Sequence, residues 1–160
     1  MPRYVYTPED PAYPTMGQEF FTFLNRHAPN TYSSRSLMSV IRQVDAHEAP
    51  LIVFDADPAA IDRRTEVKQG GLNSAAIVLR DGRILMCTHQ DKRRTGFGAA
   101  VFHEVYRRRR ALAQQDVHIC AWVAASNIDG QRFLIARNMR IIATKAGDGQ
   151  VCYGPPDRDE

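Results

Sequence analysis

The chain has 160 residues, 44% hydrophobic and 24% charged, and its 21 basic against 18 acidic side chains leave a net charge of +3. This globular composition excludes disorder or low complexity as a description of the whole chain, and the mild charge gives no footing for a nucleic-acid coat protein. One domain is expected over 1–154, with 155–160 as a flexible tail.

The elements can be read in chain order. Residues 4–7 alternate weakly and run into Pro8 and Pro11, as a short strand before a turn. Residues 14–17 read as a second break. Residues 18–27 then carry Phe20, Phe21, Phe23 and Leu24, the cluster of a helix stopped by Pro29. Ser33 or Ser34 can cap the next helix, where Leu37, Val40, Ile41 and Val44 recur at helical spacing. Leu51 to Phe54 is a continuous apolar run, read as a buried strand. One or two helical turns follow Asp57-Pro58 over 59–63.

The strongest local signal is Asp81-Gly82 between two apolar runs, 75–80 and 83–88, a β-hairpin. A polar, basic, glycine-containing segment follows, then a long helix over 98–114 and a strand over 117–125. A shorter helix is expected over 128–137, and two final strands over 140–144 and 150–153. Strands joined by both hairpins and crossovers predict a mixed sheet with helices on both faces, an α/β (α+β) fold. No apolar run reaches the roughly 18 residues of a membrane-spanning helix, and the first six residues lack the apolar centre of a secretory signal. Three cysteines, Cys87, Cys120 and Cys152, are too few for a disulfide framework, so the reducing cytoplasm is the expected compartment. The His, Cys and carboxylate residues show no metal-ligand spacing.

The segment that carries chemistry is Arg93-Arg94-Thr95-Gly96-Phe97-Gly98, between a strand and a long helix. Glycines there let the backbone turn tightly and point its N–H groups outward. The helix start adds unpaired N–H groups and the positive end of its dipole. Together these favour an anion, most simply a phosphate. The spacing is neither that of a Walker loop nor that of a Rossmann loop.

Arg-x-x-Gly-x-Gly after a hairpin and before a helix resembles the acetyl-CoA-binding motif of the GNAT superfamily of N-acetyltransferases. Asn127, followed by Gly130 and Phe133, is similar to the segment that comes after the next strand in that family. The order of elements resembles the family from about Tyr4 to Tyr153. The resemblance implies a GNAT-like, mostly antiparallel sheet and acetyl-CoA or CoA as cofactor. It implies that Arg93, Arg94, Thr95, Gly96, Phe97 and Gly98 hold the pyrophosphate. Met86, Cys87 and Thr88 would run beside the pantetheine arm and thioester, and Asn127 would belong to the same site. A backbone N–H near Cys87 or Thr88 would bond the thioester carbonyl.

Two departures from the family pattern stand out. Leu134 occupies the position of the family's frequent proton-donating Tyr, and the strand over 83–88 lacks a Glu to serve as base. His89 is then the candidate base, since its ordinary pKa lies near neutrality. Cys87 reads as a buried strand cysteine. The resemblance implies an acetyl-CoA-dependent N-acetyltransferase acting on an amine of a small molecule or protein. The alternative is an inactive protein of the same fold, a structural or interaction component of a larger assembly such as a phage particle. A protein partner would contact the long 55–73 segment or the run Arg107-Arg108-Arg109-Arg110; neither nucleic acid nor membrane is expected as a partner.

Overall fold

The computed structural model describes residues 3–61, 67–93, 96–145 and 149–156. β1 (Arg3–Tyr6), β2 (Leu51–Ala56), β3 (Leu72–Val78) and β4 (Ile84–Thr88) form an antiparallel sheet in that order. α1 (Tyr13–His27) and α2 (Ser34–Asp45) pack on one face, and α3 (Phe97–Arg107) on the other. A short helix, α4 (Arg109–Gln114), leads to a second antiparallel sheet of β5 (Ala121–Ala124), β6 (Arg140–Lys145) and β7 (Gln150–Gly154), ordered β5–β7–β6. α5 (Ile128–Ala136) connects β5 to β6. This is the mixed, mostly antiparallel architecture that the element order predicts.

Every residue of β2 and β3 is buried, because both faces of the first sheet are covered. Ile52, Phe54, Ala75 and Ile77 enter the core under α1 and α2, while Val53, Ala76 and Val78 enter the core under α3. The period-two alternation of a strand thus serves two cores at once. β4 continues it, with Leu85 and Cys87 on the α1–α2 side and Ile84 on the α3 side.

Several boundaries differ from expectation. α1 begins at Tyr13, and Pro14 sits in its first turn, where its missing N–H and fixed φ suit a helix start and do not break it. The helix expected over 98–114 is two helices meeting at Arg108, whose ψ of 4° leaves the helical range; nothing in a run of four arginines marks that break. The strand expected over 117–125 is a strand only over Ala121–Ala124, where pairing with β7 begins.

In the hairpin, Gly82 donates its N–H to the Leu79 carbonyl at 2.9 Å and alone takes a left-handed φ, of 93°. A side chain at Gly82 would run into the backbone carbonyl of His118, so the glycine also lets the second half of the chain come up against the hairpin.

Candidate active site

The two sheets meet along β4 and β5, which run parallel and touch at one end. Arg83 and Cys120 form a parallel bridge: the Ile84 N–H donates to the Cys120 carbonyl at 2.8 Å, and the Cys120 N–H to the Gly82 carbonyl at 2.9 Å. Beyond that bridge the strands diverge. β4 stays paired with β3 through Ser74↔Thr88, and β5 turns to pair with β7. The result is a wedge-shaped opening, sealed at its base and flanked by a strand edge whose hydrogen-bonding groups no neighbouring strand pairs.

Alternation decides which β4 groups face the opening. The Ile84 N–H points toward β5, so the groups of Met86 and Thr88 do as well, while those of Leu85 and Cys87 point to β3. The His89 N–H, bonded to the Asn73 carbonyl at 2.8 Å, keeps the same phase. This distinguishes the two expected positions, Cys87 and Thr88. The Cys87 N–H belongs to the β3 ladder and cannot serve a ligand in the opening, whereas the Thr88 and Met86 N–H groups lie on its edge. The Cys87 thiol lies in the core under α1 and α2, where burial pushes its pKa up to about 11 against the opposing pull of Arg93, so it is a neutral packing group.

The glycine loop comes to the mouth of the opening. Gly96 caps α3 with a left-handed φ of 90°, and beyond its own chain neighbours nothing lies within 4 Å of where its Cβ would be. The N–H groups of Phe97, Gly98 and Ala99 precede the first intrahelical bond, which Ala100 donates to the Gly96 carbonyl at 3.1 Å. The helix start is pinned to the sheet by a hydrogen bond from the Ser74 hydroxyl to the Phe97 carbonyl at 2.7 Å. A Cβ on Gly98 would stand 3.1 Å from the Thr88 hydroxyl, so the helix start lies against the end of β4. Met86, Thr88, Gly96, Phe97 and Gly98 are therefore gathered at one place; Arg94 and Thr95 lie outside the described residues.

Arg93 is exposed, but its guanidinium donates to the His27 carbonyl at 2.5 Å, at the C-terminal end of α1, where a cation suits the helix dipole. Asn127 follows β5 at the open end of the wedge, and its side-chain oxygen accepts the Gly130 N–H at 2.9 Å, which makes it the cap of α5. His89 stacks on His27 with ring centres 4.1 Å apart, and its Nδ1 accepts the Asp91 N–H at 3.2 Å. That contact places the proton of a neutral ring on Nε2, so accepting a proton there requires the other tautomer and the loss of the Asp91 bond. Leu134 is buried in the core under α3 and donates nothing.

Three residues at the site carry no sequence signal. Asn73 is the extra residue of a β3 bulge, where Asp55 pairs with Ser74 and Ala56 with Leu72. Its amide donates to Asp55 at 2.8 Å and its oxygen accepts from Lys92 at 2.7 Å, which ties the loop after β4 to the sheet. His27, at the end of α1, accepts the Gln90 N–H at 3.2 Å and braces the same loop. Tyr32, between α1 and α2, accepts the Met86 N–H at 2.8 Å and donates to the Met86 carbonyl at 3.0 Å. Contacts across 54 residues leave no local pattern to read.

Arg107 and Arg110 of the arginine run are exposed, but part of the run's charge is balanced by an acidic residue of α3. Glu104 is buried, with Arg107 at 2.5 Å, Arg108 at 3.0 Å and Arg3 at 3.7 Å. Burial opposes the charge of the Glu104 carboxylate, but the hydrogen bonds from Arg107 and Arg108 outweigh it and hold the pKa below the ordinary 4.5. Arg109 lies 4.2 Å over the Tyr106 ring. A hollow of about 640 Å³ lined by Arg3, Glu104 and their neighbours lies at the far end of α3 from Gly96, about 16 Å along the helix. Among the described residues no group of three His, Cys, Asp or Glu side chains could hold a metal, and no helix is long and apolar enough to cross a membrane.

No model of a protein family matches the sequence, and no curated protein matches it significantly. Solved structures do match. A protein assigned as an acetyltransferase of the GNAT family from Desulfovibrio desulfuricans superposes with a TM-score of 0.61 at 13% identity, over 95% of this chain and 97% of that one. NAA60 of Arabidopsis thaliana in complex with acetyl-CoA gives 0.61 at 12% identity, over 95% and 97%. PaiA N-acetyltransferase of Thermoplasma acidophilum in complex with coenzyme A gives 0.51 at 8% identity, over 96% and 99%. The chain has the fold of the GNAT acetyltransferases, the fold that its glycine loop and element order resemble.

Proposed function

We propose that the chain is an acetyl-CoA-dependent N-acyltransferase that passes an acetyl group to an amine by direct attack. The observation that carries this reading is the wedge between β4 and β5, bonded at Ile84–Cys120 and diverging toward the N-terminus of α3. Two proteins that share the fold are described with acetyl-CoA and with coenzyme A, which supports the same cofactor here. The residues fit it. The space beside Gly96, which a side chain would fill, adjoins three unpaired N–H groups and the positive end of α3.

The cofactor supplies an activated thioester. Phe97, Gly98 and Ala99 would hold its pyrophosphate by their N–H groups, with Arg93 and Arg94 adding charge. The Met86 or Thr88 N–H would bond the acyl carbonyl and stabilise the negative charge that develops there as the amine attacks. The backbone positions of both groups are fixed by pairing with β3, and the Met86 N–H becomes available once the Tyr32 hydroxyl leaves it. Holding amine and carbonyl together in the wedge supplies a further share of the rate. Water can carry the protons; His89 is the candidate side chain, and it could accept one on Nε2 only after a change of tautomer that gives up its bond to the Asp91 N–H.

The test is a thermal shift with acetyl-CoA. A ligand that binds only the folded chain at about 100 times its Kd stabilises it by about 2.7 kcal/mol. The wild-type Tm should rise. Gly96→Val should remain folded, at a cost of about 1–2 kcal/mol for the left-handed backbone, and show no shift. Equal shifts in the two proteins would move the cofactor away from this loop.

A further inference from the structure

The connection between α1 and α2 reaches into the wedge through one side chain. Tyr32 sends its hydroxyl to the edge of β4, where it accepts the Met86 N–H at 2.8 Å and donates to the Met86 carbonyl at 3.0 Å. Met86 is the first residue beyond Ile84 whose N–H and carbonyl both face the cleft. A donor and an acceptor side by side on a strand edge are what an extended ligand with amide groups pairs with. One hydroxyl satisfies both at once. The ring packs against the core under α1 and α2, and burial, opposed by the bond to the Met86 carbonyl, pushes the phenol pKa up to about 12. The hydroxyl therefore keeps the proton it donates at any physiological pH.

We propose that Tyr32 is a displaceable occupant of the cofactor site: its hydroxyl holds the β4 groups that a thioester- or amide-bearing ligand needs, and ligand entry moves it off Met86. The proposal rests on reading the wedge as a cofactor site. Two observations support movement over a fixed role. The ring belongs to a connection, residues 28–33, held by a long turn bond from Thr31 to Ala28 at 3.3 Å and by the Ser33 cap of α2. And a phenol that already uses both its donor and an acceptor lone pair on one residue cannot share that residue with an amide.

Calorimetric titration with coenzyme A of the wild type and of Tyr32→Phe tests this. The phenylalanine keeps the ring and removes the competitor for Met86. It should bind coenzyme A about tenfold more tightly, on the scale of two hydrogen bonds that no longer have to be broken. The rate of binding, followed by the fluorescence of Trp122 on β5, should level off with concentration in the wild type and rise linearly in the variant.

Equal affinity would overturn the proposal and leave the cofactor reading intact. Weaker binding by Tyr32→Phe would also overturn it, by placing the hydroxyl on the ligand. Binding by neither protein would overturn the cofactor reading and this proposal with it. Hydrogen exchange on the wild type gives a second route if the variant folds poorly. Coenzyme A should speed exchange over residues 28–36 while slowing it over 84–89; slowing in both would overturn the displacement.

Discussion

The two sheets use strands of similar length and bury them very differently. β2 and β3 have no exposed residue, whereas β6 leaves Ile141 59% and Ile142 41% exposed. The first sheet has helices on both faces; the second sheet ends at β6, with one edge unpaired among the described residues. The first half thus carries most of the close packing. The opening lies where the first sheet stops pairing, on the outer edge of β4. A strand saturated on one side by β3, and held on the other at Ile84 by the chain before β5 and at Met86 by the Tyr32 hydroxyl, is both a structural element and a ligand-facing edge.

That contrast can be broken with paired substitutions. Phe54→Ala removes a ring with no exposed surface from the core under α1 and α2 and should cost about 3–5 kcal/mol. Ile142→Ser removes a side chain already 41% exposed and should cost about 1 kcal/mol or less. Urea denaturation reads both. A cost at Ile142 approaching that at Phe54 would mean that β6 is covered in solution and that the two halves are not so different.

The legibility of the sequence follows the same division. The apolar run from Leu51 to Phe54 and the strands flanking Asp81-Gly82 read directly, because continuous burial and a glycine-bearing turn leave local signals. The glycine loop was legible for the same reason: a left-handed Gly96 at a helix start is a local demand on one residue. What escaped depends on distant contacts. Cys87 could be placed beside the opening but not turned the right way, since its phase is set by the bond between Ile84 and Cys120, 36 residues apart in number. Tyr32, His27 and Asn73 meet β4 or the loop after it through tertiary packing alone. The spacing of Glu104 to Arg107 and Arg108 is local, but the burial of its carboxylate, and the reach of Arg3 to it, is not.

Asn127 sharpens the comparison at the second sheet's side of the wedge. As the cap of α5 it bonds the Gly130 N–H, so Asn127→Ala should cost about 1 kcal/mol. Asn127→Asp supplies another capping oxygen, with a charge suited to a helix start, and should restore the stability. If the aspartate variant is as unstable as the alanine variant, the cap is not what Asn127 contributes. A loss of coenzyme A affinity in a stable aspartate variant would assign the Asn127 amide to the cofactor.

The smallest expected effect concerns a buried histidine at the end of α1. His27 is 4% exposed, and its Nδ1 accepts the Gln90 N–H at 3.2 Å, a bond that only the unprotonated nitrogen can accept. Burial first, then the neighbouring His89, Arg26 and Arg93, disfavour the charged ring; Asp91 favours it, without outweighing them. Its pKa in the folded chain therefore lies below the ordinary 6.5. Between those two values the unfolded chain binds more protons than the folded one, so stability falls as the pH falls. The His27 contribution is complete above 6.5 and is lost as the pH drops toward the folded value. Glu104, depressed below 4.5, loses its contribution only at lower pH, so the two windows separate. Urea midpoints at about pH 7.5 and pH 5.5 should drop for the wild type and drop less for His27→Gln, which retains an acceptor for Gln90 but cannot protonate. Parallel drops in the two proteins would show that the ring is not what senses pH in this range, and that the loop below the glycine motif is braced by something other than a neutral His27.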